Sequence, residues 1–299
     1  MQNLQKYKGE LGLLFISIVW GFGFVATDMA LELFSPFQIM AVRFLLSSVS
    51  LAVISRKHLK NLSFKDIKCG VALGIVLYIS FALQTVGVLY TTPSKNAFLT
   101  SVSVIIVPFI SFLFYKSKLN GNEVFGAFLA LFGIALISFK IDSPMNFGDF
   151  LTLLCAVGFA MQVFLTGLFL KKGVRPIVLT MIQLLTAGVV GVAVALFRNE
   201  INMISLAQNA NFPKSFLAVM FLTFFSTLVA YLVQTASQKS TSEVKTAVIL
   251  STEAIFGTLF SVLILHEQLS FRSILGSVII FISVLVSELG SKSEINEII

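Results

Sequence analysis

The chain has 299 residues, of which 57% are hydrophobic and 12% charged, with a formal net charge of +7. A soluble domain carries roughly a quarter charged residues, so there are too few charges here to cover a surface facing water, and an ordinary soluble globular domain is excluded. The positive balance is no nucleic-acid signature, because the Lys and Arg residues fall in short loops between apolar runs.

A membrane-crossing helix needs about 20 predominantly apolar residues. The polar N-terminal stretch shows no cleavage site, so the first span is expected to be retained. Ten segments then qualify in chain order: 10–30, 36–55, 67–90, 95–115, 121–139, 148–170, 176–197, 214–236, 244–264 and 271–289. The expected fold is an all-α polytopic membrane protein. A barrel is excluded because the apolar runs are continuous rather than alternating. Pro36, Pro93, Pro176 and Pro213 stand at or just before helix starts, where a missing N–H costs little. Pro108 lies inside the fourth span and is expected to kink it. Cys69 and Cys155 have no paired spacing and read as small packing residues. Gly126 and Ala130 have the small-xxx-small spacing that serves either dimerisation or tight packing within one chain, so the oligomeric state stays open.

Of the 21 Lys and Arg residues, fifteen fall on one set of loops. Five (Lys95, Lys140, Arg198, Lys214 and Arg272) fall on the other, and Arg43 lies inside a span. By the positive-inside rule both termini are cytoplasmic, as an even number of spans requires. The location implied is the cytoplasmic (inner) membrane.

One short stretch occurs twice. Residues 84–97 and 234–247 share Gln-Thr, a later Thr, Lys and Ala at a constant offset of 150, as in Gln84/Gln234, Lys95/Lys245 and Ala97/Ala247. Leu119 and Gly126 continue this onto Leu269 and Gly276, while Leu13, Leu14, Phe24 and Pro36 map onto Leu153, Leu154, Phe164 and Pro176 at an offset of 140. The change of offset falls in the loop between spans seven and eight. Two halves follow, 1–142 and 143–299, each with five helices. Five is odd, so the second half is inverted in the membrane, an arrangement found in many secondary transporters. The repeated stretches become helix–hinge–helix joints at opposite membrane faces, with Tyr90 and Lys95 in one and Thr241 and Lys245 in the other as gate candidates. For the two lysines, which stand unfavourably at helix N-termini, the plainer reading is a solvated loop residue.

The chain resembles the drug/metabolite transporter superfamily, specifically its EamA-type ten-helix exporters. The residues carrying the likeness are Trp20-Gly21 with Phe24, Pro36, Arg43-Phe44, the 84–98 junction running on to Val107-Pro108, Glu253, and His266-Glu267-Gln268-Leu269 with Gly276. Ala254 stands where the family usually has Pro, and Ser117 where a Glu matching Glu267 is usual. The resemblance implies a central cavity lined by helices one to four and six to nine, with five and ten peripheral. It also implies export or exchange of small metabolites such as amino acids.

The candidate substrate-binding residues are those with polar or charged groups at span depth. A charge in mid-membrane costs at least about 2.5–3.5 kcal/mol, so Arg43 should face the interior. Its guanidinium could bind a carboxylate or be held by a fixed ion pair or helix carbonyls. Glu253, the only acidic residue deep in a span, could couple a proton, bind an amine or pair with Arg43. Trp20, flanked by Gly21 and Gly23, could form a cavity wall or pack in the core. Gln84, Asn96, Thr100, Gln162 and Gln234 must be hydrogen-bonded between helices or wetted by a cavity. Asp28, near a helix end, reads as solvated. No His-Glu-x-x-His, Gly-x-Ser-x-Gly or Walker-type sequence occurs, so no catalytic residue, cofactor or metal is expected. His58 and His266 lie in loops. The expected partners are a small-molecule substrate, the lipid bilayer and a coupling proton. The competing readings are a sugar-phosphate or nucleotide-sugar exchanger of the same fold, and a membrane scaffold or receptor without transport.

Overall fold

The computed structural model of the chain describes residues 7–57, 62–116, 120–138, 145–200, 209–266, 268 and 271–296. His58, Ser117, Leu119, Lys140, Glu267, Leu269 and the boundary at 142/143 lie outside them. Ten helices form, and no strand occurs among the described residues. They are α1 (Lys8–Leu31), α2 (Pro36–Ile54), α3 (Phe64–Val88), α4 (Pro93–Tyr115), α5 (Gly121–Ser138), α6 (Phe147–Lys171), α7 (Pro176–Phe197), α8 (Phe212–Ser237), α9 (Glu243–Leu265) and α10 (Phe271–Asn296). Eight are long and apolar enough to cross a membrane; α5 and α10 contain the shorter apolar stretches Gly121–Leu136 and Ile274–Ser287.

The helix starts have local causes. Pro36, Pro93 and Pro176 each occupy the first turn of a helix. Ser35 with Gln38, Ser63 with Asp66 and Asn146 with Asp149 form reciprocal capping boxes at α2, α3 and α6. Each box satisfies two backbone donors that a helix start leaves without partners.

Helices α4 and α9 share a set of landmarks 150 residues apart. The N-cap hydroxyl of Thr92 accepts from the Lys95 N–H, and that of Ser242 accepts from the Lys245 N–H. Both helices are interrupted at the same place, α4 at Val102 and α9 at Ser251 and Thr252. Both end on a residue in the left-handed region, Lys116 and His266. The interruption is therefore not the kink expected at Pro108, which sits inside the second segment of α4. Around it the backbone tightens to three-residue bonds, Ile105 N–H to Val102 O and Ile255 N–H to Thr252 O. The Ser251 and Thr252 hydroxyls also donate back to the carbonyls of Val248 and Ile249, in competition with the helix ladder.

Helices α1, α4 and α9 pack against one another. Helix α5 packs along α10, α2 along α7, α3 against α6 and α7, α8 against α1 and α2, and α1 and α6 against α9 and α4 respectively. The Gly126 face lies against α10 of the same chain, where an added Cβ would meet the Ser283 carbonyl at 2.9 Å. The small-residue spacing thus serves packing within one chain, by close backbone approach. Phe109, Phe112, Phe125, Phe128 and Phe132 point outward, an exterior suited to hydrocarbon rather than water.

Candidate functional site

A cavity enclosing about 590 Å³ of empty space, mouth included, opens between α1, α2, α3, α4, α6, α8 and α9. Helix α7, implied as a lining helix, contributes nothing to it because it is packed against α2 and α3. Seven of the eight polar candidates line the cavity: Trp20, Arg43, Gln84, Thr100, Gln162, Gln234 and Glu253. Asn96 does not. Its amide donates to Thr152 Oγ1 at 2.8 Å and to the Gln84 carbonyl at 3.3 Å, on the way to the first joint.

Arg43 is 1% exposed. Its Nε donates to Thr227 Oγ1 at 2.9 Å, and Nη2 lies 3.5 Å from Ser226 Oγ. The guanidinium carbon stands 4.3 Å from the centre of the Phe81 ring. Glu253 is also buried, and its Oε1 accepts from Ser101 Oγ at 3.3 Å. Arg43 and Glu253 face one cavity without forming an ion pair: one is held by α8, the other by α4. Gln183, at the position related to Arg43 by the 140 offset, is fully buried with an unpartnered amide outside the cavity.

Amide groups also line the cavity. Gln234 donates to Gln162 Oε1 at 3.0 Å, Gln162 to Thr166 Oγ1 at 3.2 Å, and Gln84 to Thr100 Oγ1 at 3.1 Å. Trp20 forms a wall as well as packing, with its ring centre 5.5 Å from that of Tyr231 and its Nε1 donating to the Ser226 carbonyl at 2.9 Å. Phe81, Phe159, Ser226 and Tyr231 also line the cavity, and no charge marks them in the sequence. Ser226 and Thr227 had one visible signal, a polar pair inside an otherwise apolar run.

The lysines of the two joints are not solvated. Lys95 pairs with Asp149 at 2.6 Å, its side chain 18% exposed and that of Asp149 0%. Lys245 pairs with Glu10 at 2.8 Å, at 7% and 18%. The carboxylates come from the first turns of α6 and α1 and offset the unfavourable placement of a cation at a helix start. Thr241 is buried against Gly9, whereas Tyr90 is half exposed and meets the Phe147 ring edge-on. Asp28 is half-buried and engaged rather than free in solvent. No group of three or more potential metal ligands occurs among the described residues.

A family model for EamA-like transporters matches the chain twice, at residues 7–139 and 146–289. An uncharacterized transporter of Archaeoglobus fulgidus is 31% identical over 291 residues, covering 96% of this chain and 88% of the relative. Uncharacterized transporter YvbV of Bacillus subtilis is 24% identical over 303 residues, covering 98% and 96%. One solved crystal structure shares the fold, with a TM-score of 0.72 at 16% identity over 93% of this chain and 95% of its own. The relatives are named as transporters, not enzymes. A polytopic helical chain with a mid-span polar cavity, matched along almost its whole length, belongs to the EamA-like transporter family.

Proposed function

We propose that the protein is a secondary transporter exporting small metabolites, amino acids or related compounds, across the cytoplasmic membrane by alternating access. The observation that carries this is the pairing of Arg43 and Glu253 across one cavity without an ion bond between them. An unpaired buried charge is costly, and a zwitterion answers both: its carboxylate meets the guanidinium through parallel hydrogen bonds, and its ammonium meets the carboxylate. Glu253 is also the group to carry a coupling proton. A sugar-phosphate or nucleotide-sugar exchanger would need several cations at this depth, and Arg43 alone fills that role among the described residues.

The inverted two-half arrangement, 1–142 and 143–299, is supported by three observations. The family pattern matches twice. The landmarks of α4 and α9 recur at one offset. The helix pairings keep their pattern when each helix is exchanged for the one five places on: α3 with α6 becomes α8 with α1, and α1 with α9 becomes α6 with α4. The excess of Lys and Arg on one loop set supports cytoplasmic termini. The joints at 90–96 and 240–246 are the two gates, with the direction of export following the family resemblance.

Reconstituted vesicles loaded with the twenty proteinogenic amino acids should release some of them only when the protein is present. Arg43→Leu and Glu253→Gln should each remove most of that flux while leaving the protein folded. No protein-dependent flux across this panel and a broad metabolite panel would favour the scaffold reading.

A further inference from the structure

Helix α8 departs from α-helical geometry in mid-course without a proline. Within α8 the residues Phe224–Val229 form a π-helix, flanked by α-helical Phe212–Thr223 and Ala230–Ser237. The corresponding helix of the other half, α3, is an unbroken α-helix from Phe64 to Val88. A π-turn carries one extra residue per turn and so changes which side chains share a face, and such turns recur at functional sites.

Here the segment presents two neighbouring hydroxyls, Ser226 and Thr227, to one guanidinium. In a regular α-helix adjacent residues stand about 100° apart, and the greater number of residues in a π-turn narrows that angle. The backbone around it is used too. Ser47 Oγ donates to the Thr223 carbonyl at 2.7 Å, and Trp20 Nε1 takes the Ser226 carbonyl. Gly23 permits the approach of α1, since an added Cβ would meet Ser226 Oγ at 3.0 Å.

These contacts fix the orientation of Arg43. Thr227 and Ser226 occupy the edge formed by Nε and Nη2, and the guanidinium carbon stands over the Phe81 and Phe44 rings at 4.3 and 5.4 Å from their centres. Nη1 has no protein acceptor among the described residues, and Arg43 borders the cavity. The end-on edge, with two parallel N–H groups, is the geometry that receives a carboxylate bidentately.

We propose that Ser226 and Thr227, brought together by the π-helical segment, are positioning residues that aim the free edge of Arg43 into the cavity and thereby set a preference for substrates bearing a carboxylate. They act through Arg43 and not on the substrate. This rests on the transport reading above and adds to it the residues that determine selectivity.

The test compares two mixtures in reconstituted vesicles, the twenty L-amino acids and the same compounds with the α-carboxylate converted to the carboxamide. Thr227→Val removes the hydroxyl at nearly constant volume, and Thr227→Ser restores it. The ratio of amino-acid to amide flux should fall about tenfold in Thr227→Val, the equivalent of about 1.4 kcal/mol, and recover in Thr227→Ser. A fall in total flux with an unchanged ratio is what a merely structural role gives, and it overturns the proposal while leaving the transport reading intact. So does a wild-type protein that transports amides as well as amino acids. Wild-type protein that moves neither mixture sinks the transport reading and this inference together. Thr227→Val protein that fails to fold is replaced by Ser226→Ala, whose ratio must fall in the same sense for the proposal to stand.

Discussion

The two joints have nearly the same backbone and unlike side-chain surroundings. Each opens with a hydroxyl N-cap, places a lysine three residues later, and pairs it with an acidic residue from the first turn of another helix. At the first joint one carboxylate gathers three bonds. Asp149 accepts from Lys95, from Thr91 Oγ1 at 2.8 Å and from the Asn146 N–H at 2.9 Å. At the second joint the work is spread over several carboxylates. Glu10 takes Lys245; Glu243 takes Lys171 at 2.9 Å and Tyr115 at 3.0 Å; Glu123 takes Ser242 at 2.8 Å. The second joint also buries Gln238 Oε1, Thr241 Oγ1 and Thr246 Oγ1 without partners, where the first leaves Asn96 Oδ1. Unpaired buried polar atoms cost about 1–3 kcal/mol each, so the second joint is held by more bonds and opposed by more unmet ones.

The difference predicts unequal sensitivity to single substitutions. Asp149→Ala removes a fully buried carboxylate together with the three bonds it accepts, so it should destabilise by roughly 3–4 kcal/mol, within the range for breaking a buried pair. Glu10→Ala removes one bond from a joint with others and should cost about 1–2 kcal/mol, below the fully buried range because Glu10 is partly exposed. Denaturation of the purified protein in detergent measures both. Equal losses would mean that the first joint does not depend on Asp149 as described.

Packing at the joints gives the next effect. A Cβ at Gly148 would meet the Gly87 carbonyl at 2.5 Å and Tyr90 Cβ at 2.7 Å, whereas one at Gly9 meets the Thr241 and Ser240 side-chain oxygens at 2.8 and 3.0 Å. Backbone cannot turn aside and hydroxyls can. Gly148→Ala should therefore cost about 2 kcal/mol and Gly9→Ala less than about 1, in line with the cost of overpacking. Thermal unfolding of the two variants side by side would expose a reversal of that order.

Much of this architecture is legible in the sequence because its determinants are local. Pro36, Pro93 and Pro176 mark helix starts within a single turn, and continuous apolar runs fix the helix type. Arg43 and Glu253 are visible as site candidates because a charge in an apolar run has to face inward. The rest depends on rotation and distance. Phe224–Val229 contains no breaker, so nothing local announces the π-turn that brings Ser226 and Thr227 onto Arg43. Pro108 is a false signal for the α4 break: the break recurs in α9, where Thr258 stands at the position equivalent to Pro108. Lys95 reads as solvated because Asp149, its partner, is 54 residues away in the chain.

The smallest effect tests whether the second joint is poised to open. Lys171 is 58% exposed, and its bond to Glu243 is open to screening. Lys171→Met should therefore change global stability by only about 0.5 kcal/mol, as exposed pairs do. Its influence on opening should be larger in proportion. Glu243 lies against Gly167, where an added Cβ would fall 2.3 Å from its carboxylate oxygen. Without Lys171 the carboxylate keeps only the Tyr115 hydroxyl of these two partners, and water that enters when the joint opens makes up the difference. With Cys69 and Cys155 replaced, a cysteine at Thr246 should react faster with a hydrophilic thiol reagent in Lys171→Met protein, and a cysteine at Asn96 more slowly. High salt should shift the wild type the same way. Substrate should also move the two reactivities in opposite senses. Reactivities that rise together would mean that the joints loosen rather than alternate.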